Sequence, residues 1–176
     1  MHIGLNGTEH AHELSVDKLC ILEKIRSVAA KKLGFVVNVE DATQKTPASP
    51  KLILISPAAS YYKPDGGLVS KDSIHFTARA MSMQNMHKTF PVTGGLCTAA
   101  AARLTGTLVN ECCNTPDTPE ITIGHPSGTM VFTIKFSEEG ENVIFEKVAV
   151  ARTSRRLMEG HAYVPWNYFG LKRKKC

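Results

Sequence analysis

A chain of 176 residues, 43% hydrophobic and with a formal net charge of +5, holds enough material for one ordinary domain with a proper core, or for two small ones. No apolar run approaches membrane-spanning length, and the polar, histidine-bearing start lacks the charged-then-apolar layout of a signal peptide, so the expected location is the cytoplasm with no membrane partner. Much of the charge sits in the tail Lys172, Arg173, Lys174 and Lys175; no aromatic stripe, zinc motif or helix-turn-helix pattern accompanies it, which argues for a solvated end and against a nucleic-acid partner.

Residues 1–14 show no periodicity and read as a flexible lead; His2, His10 and His12 lie there without a carboxylate-rich scaffold, so no metal site is expected. Ser15 can cap a helix that Asp17 opens and Gly34 stops. Leu19, Leu22, Ile25, Ala29 and Leu33 recur along it at three and four, the stripe of an amphipathic outer helix. Residues 35–39 suggest a short strand, and the proline-bearing stretch 40–50 a loop. Residues 51–56 read as a buried strand ended by Pro57, and Pro64-Asp65-Gly66-Gly67 as a turn. Over 73–81, Ile74, Phe76, Ala78 and Ala80 alternate with Ser73, His75, Thr77 and Arg79, the pattern of a strand covered on one face.

The stretch 89–106 is the centre of the chain. Pro91 and Gly94-Gly95 end an extended approach, alanines 99–102 favour helix, and Thr105-Gly106 supplies a stop. The segment has no polar face before Arg103, so a helix buried on all sides is expected, about 15 Å long. Beyond it come a candidate strand at 108–110, a loop at 113–119, a hairpin or corner at Gly124-His125-Pro126-Ser127-Gly128 between strands 121–123 and 130–136, a strand at 143–152 and a final strand at 155–165. These elements make an α+β domain in which a β-barrel-like sheet wraps around the central helix. The five cysteines are odd in number and without ligand-like spacing; reduced, mostly buried thiols are the expectation.

Thr93-Gly94-Gly95 fits neither a dinucleotide fingerprint nor a P-loop. What remains is a helix start with unobstructed N–H groups, the hydroxyl of Thr93, and Ser82, His87 and Lys88 before it, to which a carboxylate is the natural ligand. The competing reading is that the two glycines only permit close packing. His87 is either a general acid or base, a hydrogen-bond donor to a bound acid, or a cap on local backbone. Cys97, inside the helix, reads as a small packed hydrophobe.

Residues 81–97 (Met81-Ser82-Met83-Gln84-Asn85-Met86-His87-Lys88-Thr89-Phe90-Pro91-Val92-Thr93-Gly94-Gly95-Leu96-Cys97) resemble the PrpF family, the 2-methylaconitate cis-trans isomerases and methylitaconate Δ-isomerases with the diaminopimelate-epimerase-like fold. Ile121-Thr122-Ile123-Gly124-His125-Pro126-Ser127-Gly128, residues 150–160 and the helix at 25–34 match in the same order. The resemblance implies two lobes whose central helices face each other across a cleft for a small polycarboxylate, and a proton abstracted and returned without metal or organic cofactor. Residues 15–162 then correspond to the C-terminal lobe, and 163–176 to a last strand and basic tail. The carboxylate-binding residues implied are Ser82, Met83, His87, Thr93, Gly94, Gly95 and Leu96, with residues 93–96 donating through their backbone.

The lysine and cysteine that move protons in this family belong to an N-terminal lobe with no counterpart here, so no catalytic residue is assigned in this chain and Cys97 does not inherit that role. A partner lobe or a second copy is expected to complete the site. The alternative is a truncated, non-catalytic binding or interaction domain, and a basic nucleic-acid-binding protein is a distant third.

Overall fold

The computed structural model describes residues 4–113, 119–139, 142–151 and 154–164. Helix α1 (Val16–Lys32) begins where the Ser15 side chain accepts from Lys18 N–H, and stops before Gly34, which takes φ +77°. Its buried row is Leu22, Arg26 and Ala30, with Ser27 beside them, whereas Ile25 and Leu33 are exposed. The expected apolar stripe is therefore rotated. The reason is chemical: Arg26 donates to the carbonyls of Thr46 and Ser49 and pairs with Glu23 at 2.6 Å, fastening the following loop to the helix.

A short helix α2 (Ala42–Lys45) leads to strands β1 (Ile53–Pro57), β2 (Tyr61–Tyr62), β3 (Leu68–Val69), β4 (Phe76–Ser82) and β5 (Asn85–Met86). Then come α3 (Val92–Ala101), α4 (Leu108–Cys112), β6 (Glu120–His125), β7 (Gly128–Glu139) and β8 (Asn142–Val150). The main sheet runs β1-β4-β6-β7-β8, with β5 folded back on β4. Neighbours are antiparallel except β4 and β6, which are parallel with Phe76 opposite Ile123. β2 and β3 form a separate ribbon.

One face of the sheet carries Phe76, Ala78, Ala80, Ile121, Ile123, Phe132 and Ile134, which pack with Phe90, Ala99 and Ala102 into the main core. Helix α3 lies on this face and spans it: a Cβ on Gly94 would touch Ile53 of β1, and one on Gly95 would meet Phe132 of β7. The opposite face of β4 is covered too. Met81 and Met86 pack with Leu14 and Leu22, and Thr77 and Arg79 are wholly buried. The reading of β4 as covered on one face is thus corrected: Arg79 is accepted inside because its guanidinium donates to the carbonyls of Glu9, Ala78 and Gly124 and lies 4.9 Å from the Tyr61 ring centroid.

Further corrections follow from local chemistry. Residues 35–39 form no strand; Val36 is buried with Ala30 and Ala42 at the corner after α1, and Val37 is exposed. Residues 108–110 are helical because Thr107 accepts from Asn110 N–H and caps α4. Residues 4–14, expected as a flexible lead, are tied down by Glu9 O to Arg79 and by Leu14, and include a single 3₁₀ turn at Ala11–Glu13. Residues 154–164 carry no regular structure, so the final strand is absent from the described part of 155–165. The tail from 165 onward lies outside the described residues.

Helix α3 is not buried all round. Thr93 and Cys97, one turn apart, are exposed, so Cys97 is not packed. Cys20 is exposed as well, and Cys112 and Cys113 are half-buried free thiols, Cys113 pushed up to about 11 by burial. Among the described strands β8 forms an edge, on which Val143, Ile144, Phe145 and Val148 are exposed.

Candidate functional site

The residues singled out from the sequence gather at one end of the sheet. Ile53 pairs with Ala80, and His87 N–H donates to Ala80 O, which brings the segment after β5 alongside the start of β1. Gly94 of α3 sits over Ile53. Ser82 continues the row of Phe76, Ala78 and Ala80 by strand alternation. Met83 stands at the tip of the β4–β5 turn and is exposed. That turn has two central residues, Met83 and Gln84, at φ 48° and 63°. Such a hairpin ordinarily takes Asn-Gly, so two larger side chains here hold a strained backbone. Residues 82–84 line a small crevice together with Leu19, Leu22, Glu23 and Arg26 of α1.

The start of α3 is open. Pro91, extended at φ −65° and ψ 128°, is the N-cap, and it offers neither a side-chain cap nor an N–H. Gly95 N–H already donates to Pro91 O. Leu96 follows inside the helical ladder. The backbone donors left over are therefore those of Val92, Thr93 and Gly94. The expectation that residues 93–96 donate is corrected at its C-terminal half: the N–H groups of Gly95 and Leu96 are spent within the helix, and Val92 joins the set.

The two glycines also part company. A Cβ on Gly95 would stand 2.2 Å from Phe132 Cζ, a buried ring in the core, so Gly95 is required for close packing. A Cβ on Gly94 would meet Ile53 Cδ1 at 3.7 Å and Lys51 Cδ at 3.9 Å, both ordinary contacts. Packing explains one glycine and not the other. Lys51 runs its stem past the same helix start and adds a cation to the side where the dipole is positive.

His87 is half-buried, and its Nδ1 accepts the Thr89 backbone N–H at 3.1 Å. That hydrogen bond assigns the ring proton to Nε2, leaving a donor on the other side of the ring. One ring nitrogen therefore caps backbone, and the other is left as a donor. The loop from His87 to Pro91 is braced from below by His125, whose ring stacks on Phe90 with centroids 6.5 Å apart. Burial holds His125 neutral, with its pKa pushed down to about 4, and Ser127 N–H donates to its Nδ1. His125 and Gly128 close the β6–β7 hairpin around Pro126-Ser127.

Among the described residues, no group of three or more His, Cys, Asp or Glu side chains is placed to hold a metal ion. No described helix is long and apolar enough to cross a membrane. Val92 and Lys51 were the contributors the sequence did not mark. The first became visible once Pro91 was fixed as the cap, and the second carries no signal in a loop preceding β1.

Residues 1–165 match the family model described as PrpF protein. The chain is 34% identical to 3-methylitaconate isomerase of Eubacterium barkeri over 166 residues, which are 92% of this chain and 43% of that protein. It is 30% identical to 2-methyl-aconitate isomerase of Shewanella oneidensis, covering 93% of this chain and 41% of that one. A crystal structure of methylitaconate-delta-isomerase superposes with a TM-score of 0.80 at 34% identity, over 91% of this chain and 41% of the other. The chain thus spans less than half the length of the relatives it matches. With the sheet, the central helix and the family model agreeing along nearly all of its residues, the chain belongs to the PrpF family.

Proposed function

We propose that this chain is the carboxylate-binding lobe of an isomerase acting on small unsaturated polycarboxylates of the 2-methylaconitate or methylitaconate kind. The observation that carries this reading is the uncapped start of α3, where Val92, Thr93 and Gly94 present N–H groups beside a proline that cannot satisfy them. One carboxylate accepts from these donors in the field of the helix dipole, with the His87 Nε2 proton and the Thr93 hydroxyl at its margin. Ser82 and Met83, on the strained turn at the same end of the sheet, border the acid. Charge that develops on the substrate when a proton leaves the carbon next to a carboxyl group is stabilised by the same donors.

The proton-moving residues are assigned to another lobe, and the exposed apolar side chains of β8 supply a surface for a partner lobe or a second copy. The reading rests on the family relationship together with the geometry at α3.

Titrating the purified chain with 2-methylaconitate by calorimetry, with proton NMR on the same samples, tests the proposal. Saturable binding without turnover is expected. Pro91→Ser, which introduces a competing cap, should weaken binding about tenfold through occupation of the same N–H groups. Binding unaffected by Pro91→Ser removes α3 from the site. Turnover by this chain alone overturns the assignment of the proton chemistry to another lobe. No binding at all favours the non-catalytic interaction domain.

A further inference from the structure

A second cleft, of about 450 Å³, is lined by His10, Ala11, His12, Pro64, Lys88, Pro126 and Ser127. None of these seven residues is acidic. The His10 and His12 rings lie parallel, 5.6 Å apart and 6° from coplanar orientation. The turn that follows holds His10 in place: its N–H donates to the Glu13 carboxylate, and Glu13 N–H donates to His10 O. Lys88 is exposed and contributes a cation to the cleft.

The walls are fixed by a common buried group. Arg79 donates from Nε to Glu9 O at 2.7 Å, which anchors the residue before His10. The same guanidinium reaches Gly124 O, at the foot of the β6–β7 hairpin, and stacks on Tyr61. The Tyr61 hydroxyl lies 2.7 Å from the carbonyls of both His125 and Gly128, on either side of Pro126-Ser127. Ser127 Oγ donates to Lys88 O and so ties the hairpin tip to the lysine.

The charge balance points the same way. Arg79 is buried with carbonyls and an aromatic ring as its direct contacts, and the Glu9 and Glu13 carboxylates act on it through space without a hydrogen bond. The carboxylates on flanking residues have partners of their own: Glu9 accepts from Asn6 and Gly7, Glu13 from His10 N–H, and Asp65 from Lys63 and Gly67.

We propose that this cleft binds a small organic dianion of the dicarboxylate class, held by the His10 and His12 rings on one wall and the Lys88 ammonium on the other. None of its lining residues belongs to α3, although Lys88 follows His87 in the chain, and the proposal does not depend on the reading given to that helix. The cleft has room for a short diacid with part of its hydration, and donors on two walls match a ligand with a carboxylate at each end.

The test follows the imidazole resonances of His10, His12 and His87 in the full chain while succinate, and separately inorganic phosphate, is added. Saturable shifts at His10 and His12 with succinate are expected, with phosphate binding at least about tenfold more weakly. Lys88→Gln and His10→Gln should each weaken succinate about tenfold while leaving the dispersion of the amide spectrum, and hence the fold, unchanged. Shifts confined to His87 would place the acid at α3 and overturn the second site. Equal affinity for phosphate would overturn the dicarboxylate assignment, and shifts that survive both substitutions would overturn the residues named.

Discussion

The two long helices begin in opposite ways. At α1, Ser15 folds its side chain over Lys18 N–H, and Asp17 supplies negative charge to the first turn. At α3 the cap is a proline, no acidic residue stands in the first turn, and the first three N–H groups have no capping side chain. The first arrangement closes a surface helix with its own residues. The second leaves donors available at the end of the sheet where His87 and the strained 83–84 turn also sit. A helix start that the chain itself satisfies is a stability device, whereas one left open keeps its donors available to an external anion.

The contrast can be strained first at Gly95. Gly95→Ala should cost about 3 kcal/mol, since the new methyl collides with Phe132 and α3 must lift from the sheet. A chemical-denaturation midpoint reads this directly. Next comes pH. His125 has a folded pKa of about 4 against an ordinary 6.5, so the unfolded chain takes up a proton that the folded chain refuses. Stability should therefore fall as pH drops from about 6.5 to about 4, by on the order of 2–3 kcal/mol. His125→Asn, which keeps an acceptor for Ser127 N–H, should flatten that slope in thermal melts taken across the window.

Ser15→Ala should cost about 1 kcal/mol and act at α1 alone, with amide exchange rising in the first turn of that helix and unchanged in α3. Gly94→Ala is the smallest change and the sharpest. Its methyl meets only ordinary contacts, so a gain of about 0.5 kcal/mol from helix propensity is expected. A loss as large as that of Gly95→Ala would show that both glycines serve packing, and the distinction between them would fall.

Much of this frame was readable in advance because its signals are local. Ser15 and Gly34 bracket α1, Pro91 and the alanines mark α3, and residues 124–128 announce the hairpin. The errors have a shared physical origin, namely side chains whose partners lie far away in sequence. Thr77 and Arg79 look like the wet side of a strand, yet Glu9 and Gly124 supply carbonyls that make burial of the guanidinium tolerable. Arg26 looks like a solvated charge on α1, yet it closes the loop at 46–49. Residues 35–39 carry the β-propensity of a strand, which is weak against the corner packing of Val36.

At the site, the open helix start was legible, but the choice among its donors was not. It depends on which residue is the cap, and a one-residue shift exchanges Val92 for Gly95.

The single parallel pairing among the described strands, β4 with β6, couples the sheet to α3. β4 and β6 are joined through α3, so Phe76 cannot meet Ile123 until the chain between them has closed a long loop with the helix docked inside it. The pairing of β6 with β4 and the seating of α3 on the sheet therefore stabilise each other. A carboxylate that binds the start of α3 consequently acts as a clamp on the whole sheet, and its affinity should appear as a raised unfolding midpoint and slower unfolding rather than as the ordering of a loop.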